Sequence, residues 1–184
     1  AVEEGVVHEA FNLSKIHESP ILFVVENNLF ASHMHISLRQ PNDMISRFAV
    51  ANEIPFEVLD GNDVCSVYRS AKKLIEQMRE GNGPRLIELV TYRHYGHVDW
   101  RDDIDVGVKR SQKDVADWKE RDPITRLSKS LISEGLWSPD EEESFKEELR
   151  TNISLAWEKA MNDPYPDLTA TMKYVFSYKS KEES

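Results

Sequence analysis

Two short polar clusters hold the residue types that chemistry needs. The first, Glu26-Asn27-Asn28, follows directly on the apolar run Ile21-Leu22-Phe23-Val24-Val25. An asparagine amide oxygen is a hard, neutral ligand suited to magnesium or calcium, and the backbone carbonyl of Phe30 can add a second oxygen from the same turn. Magnesium takes few protein ligands and completes its octahedron with phosphate oxygens and water. Taken alone, the triplet also fits an ordinary strand-end turn, which asparagine favours. The second cluster is His94-Tyr95-Gly96-His97. Histidine donates to phosphate or moves a proton near neutral pH, and Gly96 lets backbone approach a ligand closely. Taken alone, it also fits a pair of surface loop histidines. A zinc site is poorly supported, since no cysteine or third histidine is nearby.

Weaker signals surround these. His33 and His35 alternate as on an extended segment, and they either face one cleft or point to solvent. Cys65 opens a helical stretch, where the helix start would lower a thiol pKa. No base is close in sequence, so a buried packing role is the simpler expectation. Trp118, Trp137 and Trp157 fall in helical text and read as packing residues, while Trp100 stands in a charged loop. The acidic residues from Asp140 to Glu148 read as a solvated helix face with favourable charge in its first turn.

The elements that must position these clusters alternate. Residues 2–18 read as a helix with Val7, Ala10, Phe11 and Ser14 on one face, and Ser19-Pro20 ends it. The run 21–25 fits a strand buried on both faces of a parallel sheet. Residues 29–40 have no period and read as a loop. Pro41-Asn42-Asp43 opens a short helix with Met44, Ile45, Phe48 and Ala49 inward. A strand over 56–59 closes at Asp60-Gly61-Asn62-Asp63. Asp63 then caps the clearest helix, with Val64, Val67, Tyr68, Ala71, Leu74, Ile75 and Met78 at helical spacing. Gly81-Asn82-Gly83-Pro84 stops it, and 85–93 is the next strand. Helices and strands in alternation imply parallel βαβ units, and ligands of such sheets bind beyond the carboxyl ends of the strands. Both polar clusters lie at such ends.

Beyond His94 the text is long, charged and unpatterned to Lys109, as functional or mobile loops are. From Ser111 it turns helical. Ser111 and Asp114 resemble a capping box, Asp122-Pro123 and Ser138-Pro139 start two more helices, and the longer has Phe145, Leu149, Ile153, Ala156, Trp157 and Ala160 as its expected core face. A short helix over 168–176 and a frayed tail from Lys179 follow. The chain thus reads as an α/β part over residues 1–110 and a helical extension over 111–184.

Composition narrows the partners. Lys plus Arg total 23 against 33 Asp plus Glu, a formal net charge of -10. Such a field repels phosphate backbones and anionic membranes. The longest apolar run falls far short of the roughly 20 residues that span a bilayer. With 1 cysteine, a disulfide framework within the chain is excluded, and a reducing, cytoplasmic setting is expected. The start at Ala1 rather than Met is expected of a fragment, or of a chain whose upstream part is absent.

The pieces also occur in a telling order. Ala-Val-Glu-Glu-Gly (1–5), the strand, Glu-Asn-Asn (26–28), Asp-Gly-Asn-Asp (60–63), Thr-Tyr-Arg-His-Tyr-Gly-His (91–97) and Asp-Pro-Ile (122–124) resemble the alpha subunit of the thiamine-diphosphate-dependent 2-oxo acid dehydrogenases, the first component of their complexes. Pyruvate, branched-chain 2-oxo acid and acetoin enzymes belong to that family. The resemblance covers nearly the whole chain. It implies a thiamine-diphosphate-binding α/β fold, a mostly parallel sheet with flanking helices plus a C-terminal helical region. It implies thiamine diphosphate and magnesium as cofactors, and oxidative decarboxylation of a 2-oxo acid, or acetoin cleavage, with acyl transfer to lipoamide. A beta subunit in an alpha2beta2 heterotetramer and a lipoyl-bearing acyltransferase are the implied partners, and the chain alone is expected to be inactive.

Residue by residue, the resemblance makes Asn28 a magnesium ligand through its side chain and Phe30 one through its backbone carbonyl. Ala1 would lie beside the diphosphate in the turn into the first helix, whose dipole suits an anion. His97 matches the histidine that contacts the diphosphate and faces the reaction centre. Arg110-Ser111 look like the pair near the point where the lipoyl group comes in. The family's Gly-Asp-Gly triplet, with its acidic magnesium ligand, would fall just before Ala1. Phe30 stands where Tyr is common, and Val98 replaces a serine that is phosphorylated in some members, so that regulation is not supported here. The text from Asp117-Trp118 through Trp137 looks closer to the branched-chain enzymes. Two other readings stay open: a transketolase-like thiamine-diphosphate half, and an α/β interaction module without cofactor.

Overall fold

The computed structural model describes residues 1–98, 110–168 and 170. The chain parts into two units, Ala1–Leu136 and Trp137–Ser184. The division expected near residue 110 separates sheet from helical text, whereas the compact units part further on.

In the first unit α1 (Gly5–Ile16) leads into β1 (Leu22–Asn27). A hairpin of β2 (Phe30–Ala31) and β3 (Met34–His35), a 3-10 turn (Ile36–Leu38) and α2 (Arg47–Ala51) follow. Then come β4 (Phe56–Asp60), α3 (Val64–Arg79), β5 (Arg85–Val90), α4 (Gln112–Glu120) and α5 (Pro123–Ser133). The sheet order is β1-β5-β4, and both pairings are parallel. The α/β class with a parallel sheet and flanking helices is therefore as the alternation implied. Among the described residues no helix is long and apolar enough to cross a membrane.

One sheet face carries the core. Phe11, Val25, Ile36, Ile45, Ala49, Ile54 and Leu86 are buried together, and Phe11 meets Phe23 edge-on at 4.7 Å. Helix α3 packs on β4 and β5. Its cap is as expected, with Asp63 Oδ1 accepting from Ser66 N at 3.0 Å. Leu74 and Met78 are buried, but Tyr68 near its start is 67% exposed. Strand β1 was expected to be buried on both faces. Val25 is buried while Val24 stays 53% exposed, because α3 lies over the two other strands.

Three further expectations change. The stretch 29–40 is a hairpin and a 3-10 turn rather than a loop; two-residue strands are too short to leave a period. The helix expected from Pro41 begins only at Arg47. In the second unit α6 (Pro139–Asn162) forms behind a full capping box of Ser138 and Glu141, but none of its residues is buried. Of its apolar stripe, Phe145, Leu149, Ile153 and Trp157 are exposed, and Phe145 meets Trp137 edge-on at 6.2 Å. Residues 99–109, with Trp100 and most of the charged loop, lie outside the described residues, as do most of the expected terminal helix and the tail.

The turn after β4 fastens α4 and α5 to the sheet. Asp60 is ion-paired with Arg121 at 3.1 Å and Arg126 at 2.9 Å. Asn62 Nδ2 donates to the Arg121 carbonyl at 3.0 Å, and Thr91 Oγ1 donates to Asn62 Oδ1 at 2.7 Å. Gly61 permits the approach: a Cβ there would stand 3.0 Å from the Val90 carbonyl oxygen and 3.1 Å from Leu89 Cβ. Since those neighbours belong to β5 and cannot yield, Gly61→Ala should cost about 1–3 kcal/mol of unfolding free energy in the full-length protein. An unchanged urea midpoint would count against this close packing.

Burial pushes the Asp60 carboxyl up, but hydrogen bonds from Arg126, the Asn62 N–H and Arg121, with the charge of Arg121, outweigh it and hold the group below its ordinary value. A depressed carboxyl contributes stability that is present above the unfolded value and lost as pH falls through the folded one. Asp60→Asn should therefore lower stability at pH 7, and its gap from the parent should close as the pH drops below about 4. Denaturant titrations at pH 7 and pH 3 check this; a gap that persists in acid would exclude the charge as its source.

Candidate functional site

Strands β1 and β5 are neighbours with Asn27 level with Val90, so the two polar clusters leave the sheet side by side. Thr91 N donates to the Asn27 carbonyl at 3.0 Å across the gap. Two successive side-chain turns then shape the backbone. Leu29 N donates to Asn27 Oδ1 at 3.1 Å and Phe30 N to Asn28 Oδ1 at 3.0 Å. Between them Leu29 takes a left-handed φ of 67°, a conformation that strains a residue bearing a Cβ.

Ala1, Asn28 and Phe30 line one cavity of about 220 Å³ beside the start of α1. Glu4, the N-cap of α1, makes no side-chain cap hydrogen bond, and of the first-turn N–H groups that of Val7 donates to the Glu4 carbonyl at 3.0 Å. Arg39 lines the same cavity and is ion-paired with Glu3. The cavity thus combines the Arg39 cation, neutral oxygens and two carboxylates, Glu3, which pairs with Arg39, and Glu26. Asn28 Oδ1 accepts one hydrogen bond and keeps a lone pair for a metal. These residues fit a diphosphate with its magnesium. Among the described residues no cluster of three His, Cys, Asp or Glu side chains is placed to hold a metal.

His97 is not among the residues lining that cavity. It is exposed at the tip of the β2–β3 hairpin, its Nε2 3.4 Å from Ser32 Oγ and its ring 6.1 Å from that of His33. Arg93 joins the same tip, donating to the Ser32 carbonyl at 3.1 Å. A second cavity of about 690 Å³ adjoins on the other side of Phe30. His33 and His35 both line it, with Tyr92, Arg110, Ser111 and Trp118. Arg110 is buried and donates to the carbonyls of Arg93 and His94. Its guanidinium lies over the Tyr92 ring at 5.5 Å, Tyr92 stacks on Trp118 at 5.5 Å, and Arg121 covers Trp118 at 4.2 Å. Cys65, expected as buried filler, is exposed, since it starts α3 on the side turned from the sheet.

Two residues of the site carried little signal in the sequence. Arg39 lay in a stretch without a period. Glu88 stood inside an apolar strand, where a single acidic residue is the only clue. Its carboxylate is 1% exposed and accepts from Asn27 Nδ2 at 2.7 Å, Ile45 N at 3.1 Å and Ser46 N at 2.7 Å.

Comparison with known proteins identifies the family. Residues 1–169 match the family model described as the dehydrogenase E1 component. The chain is 34% identical over 175 residues to the pyruvate dehydrogenase E1 component subunit alpha of Porphyra purpurea, covering 94% of this chain and 49% of that one. The protein of the same name in Staphylococcus aureus is 31% identical over 173 residues, covering 94% and 46%. In Acholeplasma laidlawii it is 29% identical over 155 residues, covering 84% and 44%. The chain spans about half the length of these curated relatives. By the extent of the family match and the order of its strand-end motifs, the chain belongs to the dehydrogenase E1 component family.

Proposed function

We propose that this chain forms the part of a thiamine-diphosphate-dependent 2-oxo acid dehydrogenase alpha subunit that holds the diphosphate and its magnesium. The carrying observation is the convergence of Ala1, Asn28 and Phe30 on one cavity between the end of β1 and the start of α1. Bound there, the cofactor would supply the nucleophilic carbon and electron sink for decarboxylation. The chain's own residues bind and orient. Asn28 Oδ1 and the Phe30 carbonyl ligate magnesium, while the backbone at Ala1 and the first turn of α1 receive phosphate oxygens. His97, beside the hairpin that borders the cavity, donates to the diphosphate or to charge developing on the substrate. Arg110 and Ser111 border the larger cavity, in keeping with a place near the incoming lipoyl group. In this reading the reaction is oxidative decarboxylation with acyl transfer to lipoamide, in a cytoplasmic alpha2beta2 enzyme served by a lipoyl-bearing acyltransferase. The relatives' names, which specify an alpha subunit and pyruvate, favour it over a transketolase-like half and make pyruvate the first substrate to test.

In the full-length protein assembled with its beta subunit, thiamine diphosphate plus magnesium should raise the melting temperature, because a ligand that binds only the native state stabilises it. Asn28→Ala should lose most of that rise while the apo-protein melts as before. An undiminished rise in the variant would remove Asn28 from the site.

His97→Ala should lower kcat and kcat/KM together by about 10²- to 10³-fold at saturating cofactor. His94→Ala should cost much less. If His94→Ala is inactive and His97→Ala turns over normally, the roles belong to the other histidine.

A further inference from the structure

Glu88 lies in the interior of β5, buried, and the chemistry proposed above makes no use of it. Its carboxylate can only accept, and three N–H groups aim at it: those of Asn27 Nδ2, Ile45 and Ser46. Asn27 is itself buried, and its amide nitrogen also donates to the Asp43 carbonyl at 2.9 Å. With both amide hydrogens so committed, the amide plane is fixed. Asn27 Oδ1 must then face away from Glu88, toward the turn, where it accepts from Leu29 N. That bond closes the first side-chain turn around the left-handed Leu29. The Leu29 carbonyl is held in turn by Ile36 N at 2.8 Å. Asn28 Oδ1 and the Phe30 carbonyl stand on either side of this constrained residue.

We propose that Glu88 is a positioning residue for the metal-binding turn. Through the Asn27 amide it holds Leu29 left-handed, and so it brings Asn28 Oδ1 and the Phe30 carbonyl to one cation. This rests on the reading of those two oxygens as magnesium ligands. The acidic residue is required at this place. A glutamine would set an NH2 group against one of three donors and would compete for the orientation of the Asn27 amide. Partners of metal ligands often act in this way, and their loss costs about 10- to 100-fold in metal affinity.

The choice of metal separates positioning from general support. Magnesium demands a near-ideal octahedron, whereas calcium tolerates looser geometry and longer bonds. A displaced turn should therefore hurt magnesium more than calcium, while a plain loss of fold stability should hurt both alike. The experiment uses the full-length protein with its beta subunit at saturating thiamine diphosphate. Magnesium and calcium are titrated separately, and the half-saturating concentration is read from the rise in melting temperature. Glu88→Gln should raise the magnesium value by about 10-fold or more and the calcium value much less. Combined with Asn27→Ala, it should add nothing beyond Asn27→Ala alone, since both act through one amide. Equal shifts for the two metals, no shift, or additive losses would overturn the proposal. If Glu88→Gln does not assemble, Asn27→Ser tests the same relay, and an unchanged ratio of the two half-saturating concentrations in it would overturn the proposal as well. If the unaltered protein shows no metal-dependent rise at all, the cofactor reading itself fails. If only Asn28→Ala loses the rise, that reading stands and the role of Glu88 falls.

Discussion

Parallel strands cannot be joined by a hairpin, so the neighbours β1 and β5 are separated in the chain by the β2–β3 hairpin and by the third sheet strand, β4, with α2 before it and α3 after it. Their pairing is what sets Asn28 next to Thr91, and with it the amide cluster next to the histidine cluster. Without that lateral register, with Asn27 level with Val90, the cavity at Ala1 and the hairpin tip at Ser32 would have no common wall. The crossover through α3 supplies the register, and the close approach of Gly61 to β5 keeps the third strand in step.

Phe30 divides the region. It lines both cavities, and its ring meets His35 at 5.1 Å and Tyr92 at 5.9 Å, two residues that also line the larger one. The stack from Arg110 through Tyr92 and Trp118 to Arg121 then ties the end of β5 to α4 by cation–ring contacts. The acidic surplus of the whole chain says nothing about this corner, where arginines gather.

Much of this was legible in the sequence. The run 21–25, the Asp63 cap and the spacing of Leu74 and Met78 each obey a local rule, and the alternation of elements gives the parallel sheet. Asn28 and His97 stand out in the sequence because strand ends collect ligands in such sheets, and the structure sets them beyond the ends of the neighbouring strands β1 and β5. What was not legible depends on distant parts of the chain. Glu88 reads as a flaw in an apolar strand until the N–H groups of Ile45 and Ser46 are seen to point at it. The hairpin of Phe30–Ala31 with Met34–His35 is too brief for periodicity. The stripe on α6 has helical spacing, yet spacing alone cannot say whether anything covers it. Arg39 reaches the cavity only because the 3-10 turn at Ile36–Leu38 carries it back.

The left-handed Leu29 has a consequence for how such a chain changes over time. Holding a leucine there costs about 1–2 kcal/mol relative to an unstrained backbone. Glycine would relieve that strain at once, but it would enlarge the freedom of the unfolded chain and give up the packing of Leu29 against the core. It would also let the turn wander. Stability alone therefore pulls both ways at this position, strain relief against packing and chain entropy, whereas a sharply held turn favours leucine alone. Leucine at residue 29 among descendants would therefore mark the turn as held in place, and glycine would mark it as released.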